Sequence, residues 1–124
     1  MARVLIIDDS ATERHLFTTW LTGMGHTVFE AQDAETGMAL AIQQKPDAIL
    51  MDVILPGKNG FEATRALRRN PLTEPIPIII VSSKNQPSDL MWGKKQGAAA
   101  YLPKPFAQHQ LIQELEKVLR GVAA

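Results

Sequence analysis

The chain has 124 residues, with thirteen acidic and thirteen basic side chains and therefore a formal net charge of zero. This length suits one compact domain, and the neutral balance excludes an overall electrostatic attraction to nucleic acid or to an anionic membrane. The sequence has no cysteine, which excludes disulfide frameworks, thiolate zinc sites and thiol nucleophiles and suits a reducing compartment, so we expect a cytoplasmic protein.

Short apolar segments, taken in chain order, predict β-strands. Three of them are continuous rather than alternating, as in strands that are covered on both faces of a parallel sheet: Val4–Ile7, Ala48–Met51 and Ile78–Val81. Weaker strand patterns cover Thr27–Ala31 and Ala99–Leu102. The first segment is too short for the core of a signal peptide, and none is long enough to span a membrane, so we expect no membrane insertion.

Amphipathic segments between these strands predict helices. Apolar residues recur at helical spacing in the first and last of them, at Leu16, Trp20 and Met24 and at Leu111, Leu115, Val118 and Leu119. Ser10 followed by Glu13 is the pattern of a capping box at the start of the first helix. Asp33 can cap the second helix, and Asn70 before Pro71 is a typical end for the third.

The alternation of strands and helices predicts an α/β fold built from βα units. Right-handed crossovers place helices on both faces of such a sheet, and we expect a flavodoxin-like (βα)5 doubly wound parallel sheet with strand order 2-1-3-4-5. One domain should cover residues 1–121, followed by a frayed tail over residues 122–124. Ligands in this fold bind beyond the carboxyl ends of the strands, near the switch point between the first and third strands.

Three carboxylates follow two of the predicted strands. Asp8 and Asp9 come directly after the first strand, and Asp52 comes directly after the third. Because neighbouring parallel strands end at the same edge, these side chains should converge, and like charges raise each other's pKa unless a cation lies among them. Oxygen ligands on a rigid edge favour Mg²⁺. The sequence therefore predicts a magnesium site.

A hydroxyl and an amine complete this edge. Ser82 ends the fourth strand, and Lys104 follows the fifth. Asp52 can act as a nucleophile toward phosphorus, Mg²⁺ and Lys104 can neutralise the phosphoryl oxygens, and Ser82 can donate a hydrogen bond to one of them. Each residue alone is common in turns and helix caps. Their occurrence at the ends of different strands favours a phosphoryl site.

Four segments around these strand ends form motifs. They are Val-Leu-Ile-Ile-Asp-Asp-Ser at 4–10, Met-Asp-Val-Ile-Leu-Pro-Gly-Lys-Asn-Gly at 51–60, Ile-Val-Ser at 80–82 and Tyr-Leu-Pro-Lys-Pro-Phe at 101–106. With them the sequence resembles the receiver domains of two-component signalling over essentially its whole length. Within that family it is most similar to single-domain regulators of chemotaxis and of type IV pilus twitching motility, a narrower resemblance carried largely by Trp-Gly-Lys-Lys-Gln-Gly at 92–97.

The resemblance implies a role for each site residue. Asp52 would be the phosphoacceptor and Lys104 the phosphate-binding lysine, with a cis peptide bond to Pro105. The implied metal set and switch pair comprise Asp9 and Asp52 as direct Mg²⁺ ligands together with the backbone carbonyl of Ile54, Asp8 as a ligand through water, and Ser82 with Tyr101 as the switch residues.

The resemblance also implies a function. We expect a stand-alone receiver, not an enzyme, that takes a phosphoryl group from a histidine kinase. Its fourth helix, fifth strand and fifth helix would then change for a downstream protein of unknown identity. The alternatives are a pseudo-receiver that binds partners without phosphorylation, and a phosphate sink. A flavin carrier or an aspartate-based phosphatase fits poorly, since the first acids would repel a flavin phosphate and Ile54 stands where the phosphatase needs a second acid.

Three features lie outside this core pattern. Ile54 stands where chemotaxis regulators have asparagine, which predicts slow dephosphorylation. The basic run of Arg65, Arg68 and Arg69 is more typical of a solvated helix face than of contact with nucleic acid, given the neutral net charge. Leu90–Trp92 spans about 200° of the fourth helix, so we expect one of its side chains to stay partly exposed.

Overall fold

The computed structural model describes residues 1–121, in which five strands alternate with five helices. The strands are β1 Arg3–Ile7, β2 Thr27–Ala31, β3 Ala48–Met51, β4 Ile78–Ser82 and β5 Ala100–Pro103. The helices are α1 Ala11–Gly23, α2 Ala34–Gln44, α3 Gly60–Arg69, α4 Pro87–Lys95 and α5 Gln108–Leu119. None of these helices has the length and apolarity that a membrane crossing requires. The tail predicted over residues 122–124 lies outside the described residues.

The sheet has the predicted strand order. The strands lie side by side as β2-β1-β3-β4-β5, and every neighbouring pair is parallel, which confirms the flavodoxin-like fold. β1 and β3 are adjacent, and their last residues, Ile7 and Met51, are in register. Asp8 and Asp52, the next residues along the chain, therefore leave the sheet side by side.

Helices cover both faces of the sheet, which explains the continuous apolar strands. Successive residues of a strand point to opposite faces. Leu5 and Ile7 of β1 pack in the core beneath α2 and α3, whereas Val4 and Ile6 pack in the core beneath α1 and α5. All four side chains are fully buried, and each such burial contributes about 1.5–3 kcal/mol. This packing holds the carboxyl ends of the strands rigidly in place.

The buried face of α1 differs from the predicted apolar row. Phe17 and Leu21 face the core, with exposed fractions of 4% and 0%, whereas Leu16 and Met24 are 44% and 50% exposed. Phe17 also stacks on Phe106, which follows β5, with ring centroids 5.4 Å apart. Two adjacent rows of this helix carry apolar residues at the same spacing, and periodicity alone does not decide between them. The predicted helix is confirmed, but the apolar row that indicated it is not the row that faces the core.

The predicted capping box at the start of α1 forms only in part. The Ser10 hydroxyl oxygen accepts a hydrogen bond from the Glu13 N–H at 3.2 Å, as expected of an N-cap. The Ser10 N–H, however, donates to Oδ1 of Asp8 at 2.9 Å. The Glu13 carboxylate instead pairs with Lys104. The second half of the box was therefore a wrong prediction, because a stronger charged partner draws the Glu13 side chain away from the backbone.

Candidate functional site

Two acids lie at the centre of the carboxyl edge. The Asp8 N–H donates to the Ala31 carbonyl at 3.0 Å, and the Asp52 N–H donates to the Ile7 carbonyl at 2.9 Å. Both backbones thus extend the sheet's hydrogen bonding by one residue. Asp8 is fully buried, and Asp52 is 6% exposed. One Asp52 oxygen, Oδ1, accepts from the Val53 N–H at 2.7 Å, which fixes the orientation of the carboxylate.

Lys104 follows β5, the edge strand of the sheet, and its side chain reaches the two acids. Its ammonium nitrogen lies 3.0 Å from Oδ2 of Asp8 and 3.2 Å from Oδ2 of Asp52, and it also pairs directly with Glu13. An ammonium group has three N–H donors, so these three carboxylates occupy all of them. The backbone N–H of Lys104 donates to the Ser82 carbonyl at 2.8 Å. The peptide bond to Pro105 is cis, as predicted.

Burial and charge act in opposite directions on the central pair. Burial raises the pKa of Asp52, the Lys104 ammonium opposes that rise, and the Asp8 carboxylate adds to it, with a net shift upward. Burial alone would lower the pKa of Lys104, but its three carboxylate partners raise it more strongly. Lys104 is therefore a permanent cation at neutral pH. A single positive charge shared among these acids leaves the site electronegative.

The donor set fits a hard divalent cation. Carboxylate oxygens of Asp8, Glu13 and Asp52 lie within 4.8 Å of one another. All of these donors are oxygens, which is the chemistry that Mg²⁺ prefers, usually with several retained waters. Asp9, predicted as a direct ligand, has an exposed side chain at the rim of the same groove. Its role as a ligand, like that of the Ile54 carbonyl, stays a prediction.

A groove of about 410 Å³ opens above these groups. Its lining comprises Asp8, Asp9, Ser10, Glu13, Asp52, Ile54, Ser83, Lys104 and Pro105. Ile54 is 57% exposed at this groove, so its apolar side chain stands next to the space in front of Asp52. The groove gives an anionic ligand access to both the acids and the lysine.

Two residues of α1 that the sequence analysis did not assign to the site are part of it. Glu13 is the third acid around Lys104. Arg14 donates to the Asp8 carbonyl at 2.6 Å and pairs with Glu30 of β2 at 3.3 Å, so it braces the loop that carries the acid pair. Their position could have indicated this role, because both residues lie in the first turn of the helix that begins at the site. Side chains there lie above the strand end from which the helix emerges.

The predicted switch pair lies beside the site. Ser82 is fully buried, and its hydroxyl accepts from the Lys84 N–H at 3.2 Å. The Tyr101 hydroxyl donates to the Lys84 carbonyl at 2.6 Å. Both side chains therefore hold the same residue of the segment between β4 and α4. Burial and the nearby Asp89 carboxylate raise the pKa of Tyr101 to about 12, which keeps this hydroxyl protonated as a donor.

Comparison with known proteins identifies the class of this fold and site. The sequence-family model of the response regulator receiver domain matches residues 4–116 of the chain. The chain therefore belongs to the receiver-domain family, as the sequence motifs predicted. Protein PilH of Pseudomonas aeruginosa is 49% identical over 121 residues, which are 98% of this chain and 100% of that protein. The phosphate regulon transcriptional regulatory protein PhoB of the same organism is 38% identical over 94% of this chain and 51% of its own length.

Solved structures agree with this assignment. The chemotaxis response regulator CheY4 of Vibrio cholerae superposes with a TM-score of 0.89 at 33% identity, covering 95% of this chain and 98% of that chain. A response regulator structure from Chloroflexus aurantiacus reaches a TM-score of 0.92 at 31% identity, covering 96% of this chain and 98% of that one. The likeness extends over the whole described fold.

Proposed function

We propose that this receiver accepts a phosphoryl group from a histidine kinase on Asp52, in a reaction that requires Mg²⁺. The observation that supports this most is the approach of the Lys104 ammonium to within 3.2 Å of the Asp52 carboxylate, at the floor of an open groove. A nucleophile and a cation for phosphoryl oxygens thus lie side by side. The role is that of a signalling module.

The chemistry follows from these positions. An Asp52 oxygen attacks the phosphorus of a phosphohistidine, the P–N bond breaks as the new P–O bond forms, and the leaving imidazole nitrogen takes up a proton. Lys104 neutralises one phosphoryl oxygen. Asp9, Asp52 and the Ile54 carbonyl would hold the Mg²⁺ ion directly, and Asp8 would hold it through water. When bound, the ion supplies positive charge for the remaining phosphoryl oxygens.

The signal would leave the site through Ser82 and Tyr101. A phosphoryl oxygen on Asp52 is a stronger acceptor for the Ser82 hydroxyl than any neutral group. If Ser82 turns toward it, the hydrogen bond between Ser82 and the Lys84 N–H is lost, and the segment that also holds the Tyr101 hydroxyl is released. Phosphorylation thereby biases two arrangements of the α4–β5–α5 surface, which a downstream protein distinguishes.

Signalling in chemotaxis or in type IV pilus motility is the pathway we favour. The motif at 92–97 supports it, as does the similarity to a structure described as a chemotaxis protein.

Intact-mass spectrometry with acetyl phosphate as the donor tests the reaction without a kinase. The wild-type protein should gain one phosphoryl group in Mg²⁺ and none in chelator, and Asp52→Asn should gain none. Asp47→Asn is the matched control, since Asp47 is an exposed acid at the opposite end of β3. A phosphoryl adduct on Asp52→Asn, or equal labelling in chelator, would overturn the proposal. The pseudo-receiver alternative predicts no adduct in any sample.

A further inference from the structure

A groove between α3 and α4 carries positive charge that the phosphoryl site does not use. It has a volume of about 420 Å³ and is lined by Arg65, Arg68, Arg69, Trp92, Lys95 and Gln96. The last turn of each helix carries two basic residues. Because each helix of a βα unit runs back from the carboxyl edge of the sheet, these last turns lie toward the edge opposite Asp52. The groove is therefore a separate surface.

One of its arginines, Arg68, is ion-paired and forms part of the groove wall. Arg68 pairs with the Glu74 carboxylate at 3.5 Å and also donates to the Glu74 carbonyl. Its stem lies against the backbone after α4, where a Cβ on Gly97 would lie 2.7 Å from Cγ of Arg68. Gly97 has a φ of +107°, so it suits both this backbone conformation and the close approach. The wall of the groove is thus formed by packing of an α3 side chain against the turn that follows α4.

The other cations of the groove are unpaired in the part of the chain that the structure describes. Among residues 1–121, Arg65, Arg69 and Lys95 take part in no ion pair. The acid of α3, Glu62, is held in a capping box with Asn59. The acid of α4 is likewise held at its own N-cap. No carboxylate of either helix is thus left to neutralise the groove.

Helix dipoles do not cancel this charge. Cations in a last turn are favourable because each helix C-terminus carries about half a negative elementary charge. The two termini together offset about one of the three unpaired cations, so a net charge of about two positive units is left. The dipoles explain why basic residues are tolerated here, but they do not neutralise the positive charge of the groove.

An aromatic side chain completes the groove. Trp92 is 48% exposed, and its neighbour Met91 is 71% exposed. Both belong to α4, whose buried residue is Gly93. Tryptophan and arginine are the residue types that most often dominate binding energy at protein interfaces, and arginine pairs with carboxylates through two parallel hydrogen bonds. An exposed tryptophan beside unpaired arginines therefore has the composition of a binding surface.

We propose that the α3–α4 groove binds an acidic segment of a partner protein. Carboxylates of that segment would pair with Arg65, Arg69 and Lys95, and an apolar side chain would pack on Trp92. This groove shares α4 with the α4–β5–α5 surface but takes its arginines from α3, and its charge does not depend on phosphorylation of Asp52. The two proposals can therefore fail separately.

Charge and size favour a protein segment over nucleic acid. Nucleic-acid binding draws most of its affinity from neutralising many phosphates along an extended basic track. The groove holds three unpaired cations, which do not form an extended track, and the sequence has no net positive charge. A short segment with several carboxylates and one apolar side chain matches this footprint.

Fluorescence anisotropy with a labelled peptide tests the proposal on the full, unphosphorylated chain. The probe alternates glutamate pairs with leucine and phenylalanine, and its control carries glutamine in place of glutamate. We expect saturable binding of the acidic peptide, weakened at least about tenfold in Arg65→Glu/Arg69→Glu, which corresponds to about 1.4 kcal/mol. Lys117→Glu/Arg120→Glu is the matched control, because it makes the same charge change on and after α5, which packs against the other face of the sheet.

Backbone NMR locates the bound peptide and verifies that each variant is folded. Shifts should concentrate on α3, α4 and the Trp92 indole, and Trp92→Ala should weaken binding. Equal loss of affinity in both double variants would show non-specific attraction and overturn the proposal, as would absence of saturable binding or shifts on another face. Tighter binding of an oligothymidylate or of phosphatidylglycerol vesicles through Arg65 and Arg69 would overturn it in favour of nucleic acid or a membrane.

Discussion

Glu13 and Lys104 form a direct ion pair across the mouth of the proposed phosphoryl site, joining the first turn of α1 to the loop after β5. Of the three side chains that hold Lys104, that of Glu13 is the most exposed: the side-chain exposed fraction is 35% for Glu13, 0% for Asp8 and 9% for Asp52. Water replaces an exposed partner at the lowest cost. Under the proposed function, Glu13 is therefore the partner that Lys104 would release for a phosphoryl oxygen.

Glu13→Gln should accelerate phosphorylation by acetyl phosphate. The substitution removes a negative charge from the approach to Asp52 and weakens a competitor for Lys104, and we expect an increase of about fivefold, or about 1 kcal/mol. The rate is measured by intact mass at a fixed Mg²⁺ concentration. Glu116→Gln, an exposed site on α5, should leave the rate unchanged. A slower reaction in Glu13→Gln would mean that this carboxylate assists the site instead of competing within it.

Asp52→Asn should raise the thermal stability of the metal-free protein at neutral pH. Because the folded state raises the pKa of Asp52, chiefly through burial, the ionised carboxylate disfavours folding. The stability that the protonated Asp52 side chain contributes is fully present below its unfolded pKa of 3.8. The wild-type protein loses this contribution as the pH rises through the folded pKa. The advantage of the variant should therefore grow with pH across this range. Circular dichroism melts at several pH values measure it; an advantage that shrinks with rising pH would contradict this account.

Mg²⁺ should stabilise the wild-type protein more than Asp52→Asn. A ligand that binds only the folded state at a concentration a hundred times its dissociation constant adds about 2.7 kcal/mol. Removal of one carboxylate weakens the site, so the variant should gain less at the same concentration. Melts with and without Mg²⁺, with Asp47→Asn as the control, give the comparison. An equal gain in both Asp variants would place the ion elsewhere.

Gly93→Ala should disturb the switch. A Cβ on Gly93 would lie 2.8 Å from Cδ2 of Tyr101 and 3.0 Å from Cδ1 of Ile80, so the Tyr101 ring or α4 must shift, at a cost of about 1–3 kcal/mol. Gly23→Ala is the control, because nothing lies within 4 Å of its Cβ position. Urea unfolding gives the stability, and NMR shifts on adding beryllofluoride report the switch. A fully stable Gly93→Ala protein with unchanged shifts in α4 would show that this contact is not needed.

Ile54→Asn should shorten the lifetime of the phosphorylated protein. Hydrolysis needs a water in line with phosphorus, and the exposed Ile54 side chain offers it no hydrogen bond while occupying part of the groove. We expect a change of about tenfold, or about 1.4 kcal/mol of barrier. Phosphate release from the purified phosphoprotein measures it. Leu72→Asn replaces an equally exposed apolar residue outside the groove, at 56%, and should have no effect; the same lifetime in both variants would exclude Ile54 as the determinant.

The strands and the location of the site could be predicted from the sequence because one physical pattern determines both. Continuous apolar segments such as Ala48–Met51 are typical of a sheet covered on two faces, and this strand has the bounds that were predicted. Asp8, Asp52 and Lys104 each directly follow a strand, so the parallel sheet brings them to one edge independently of the loop conformations. The Asp33 cap was also predictable, since it depends on local geometry alone.

Contacts that depend on competition between partners could not be predicted. Glu13 fits a capping box locally, and only the fold shows that Lys104 is within its reach. In α4, the turn that carries Met91 and Trp92 packs through the small Gly93, so two large apolar side chains stay exposed where one was expected. Periodicity counts apolar residues, but the shape of the neighbouring surface decides which of them are buried.

The most direct test of the central claim is to locate the phosphoryl group on the chain. An acyl phosphate is reduced by borohydride to an alcohol, which converts a phosphorylated aspartate to homoserine, and peptide sequencing by mass spectrometry then identifies the position. After incubation with acetyl phosphate and Mg²⁺, homoserine should occur at Asp52 alone, and chelator should abolish it. Homoserine at Asp8 or Asp9 in place of Asp52, or modification of Asp52 in chelator, would contradict the account.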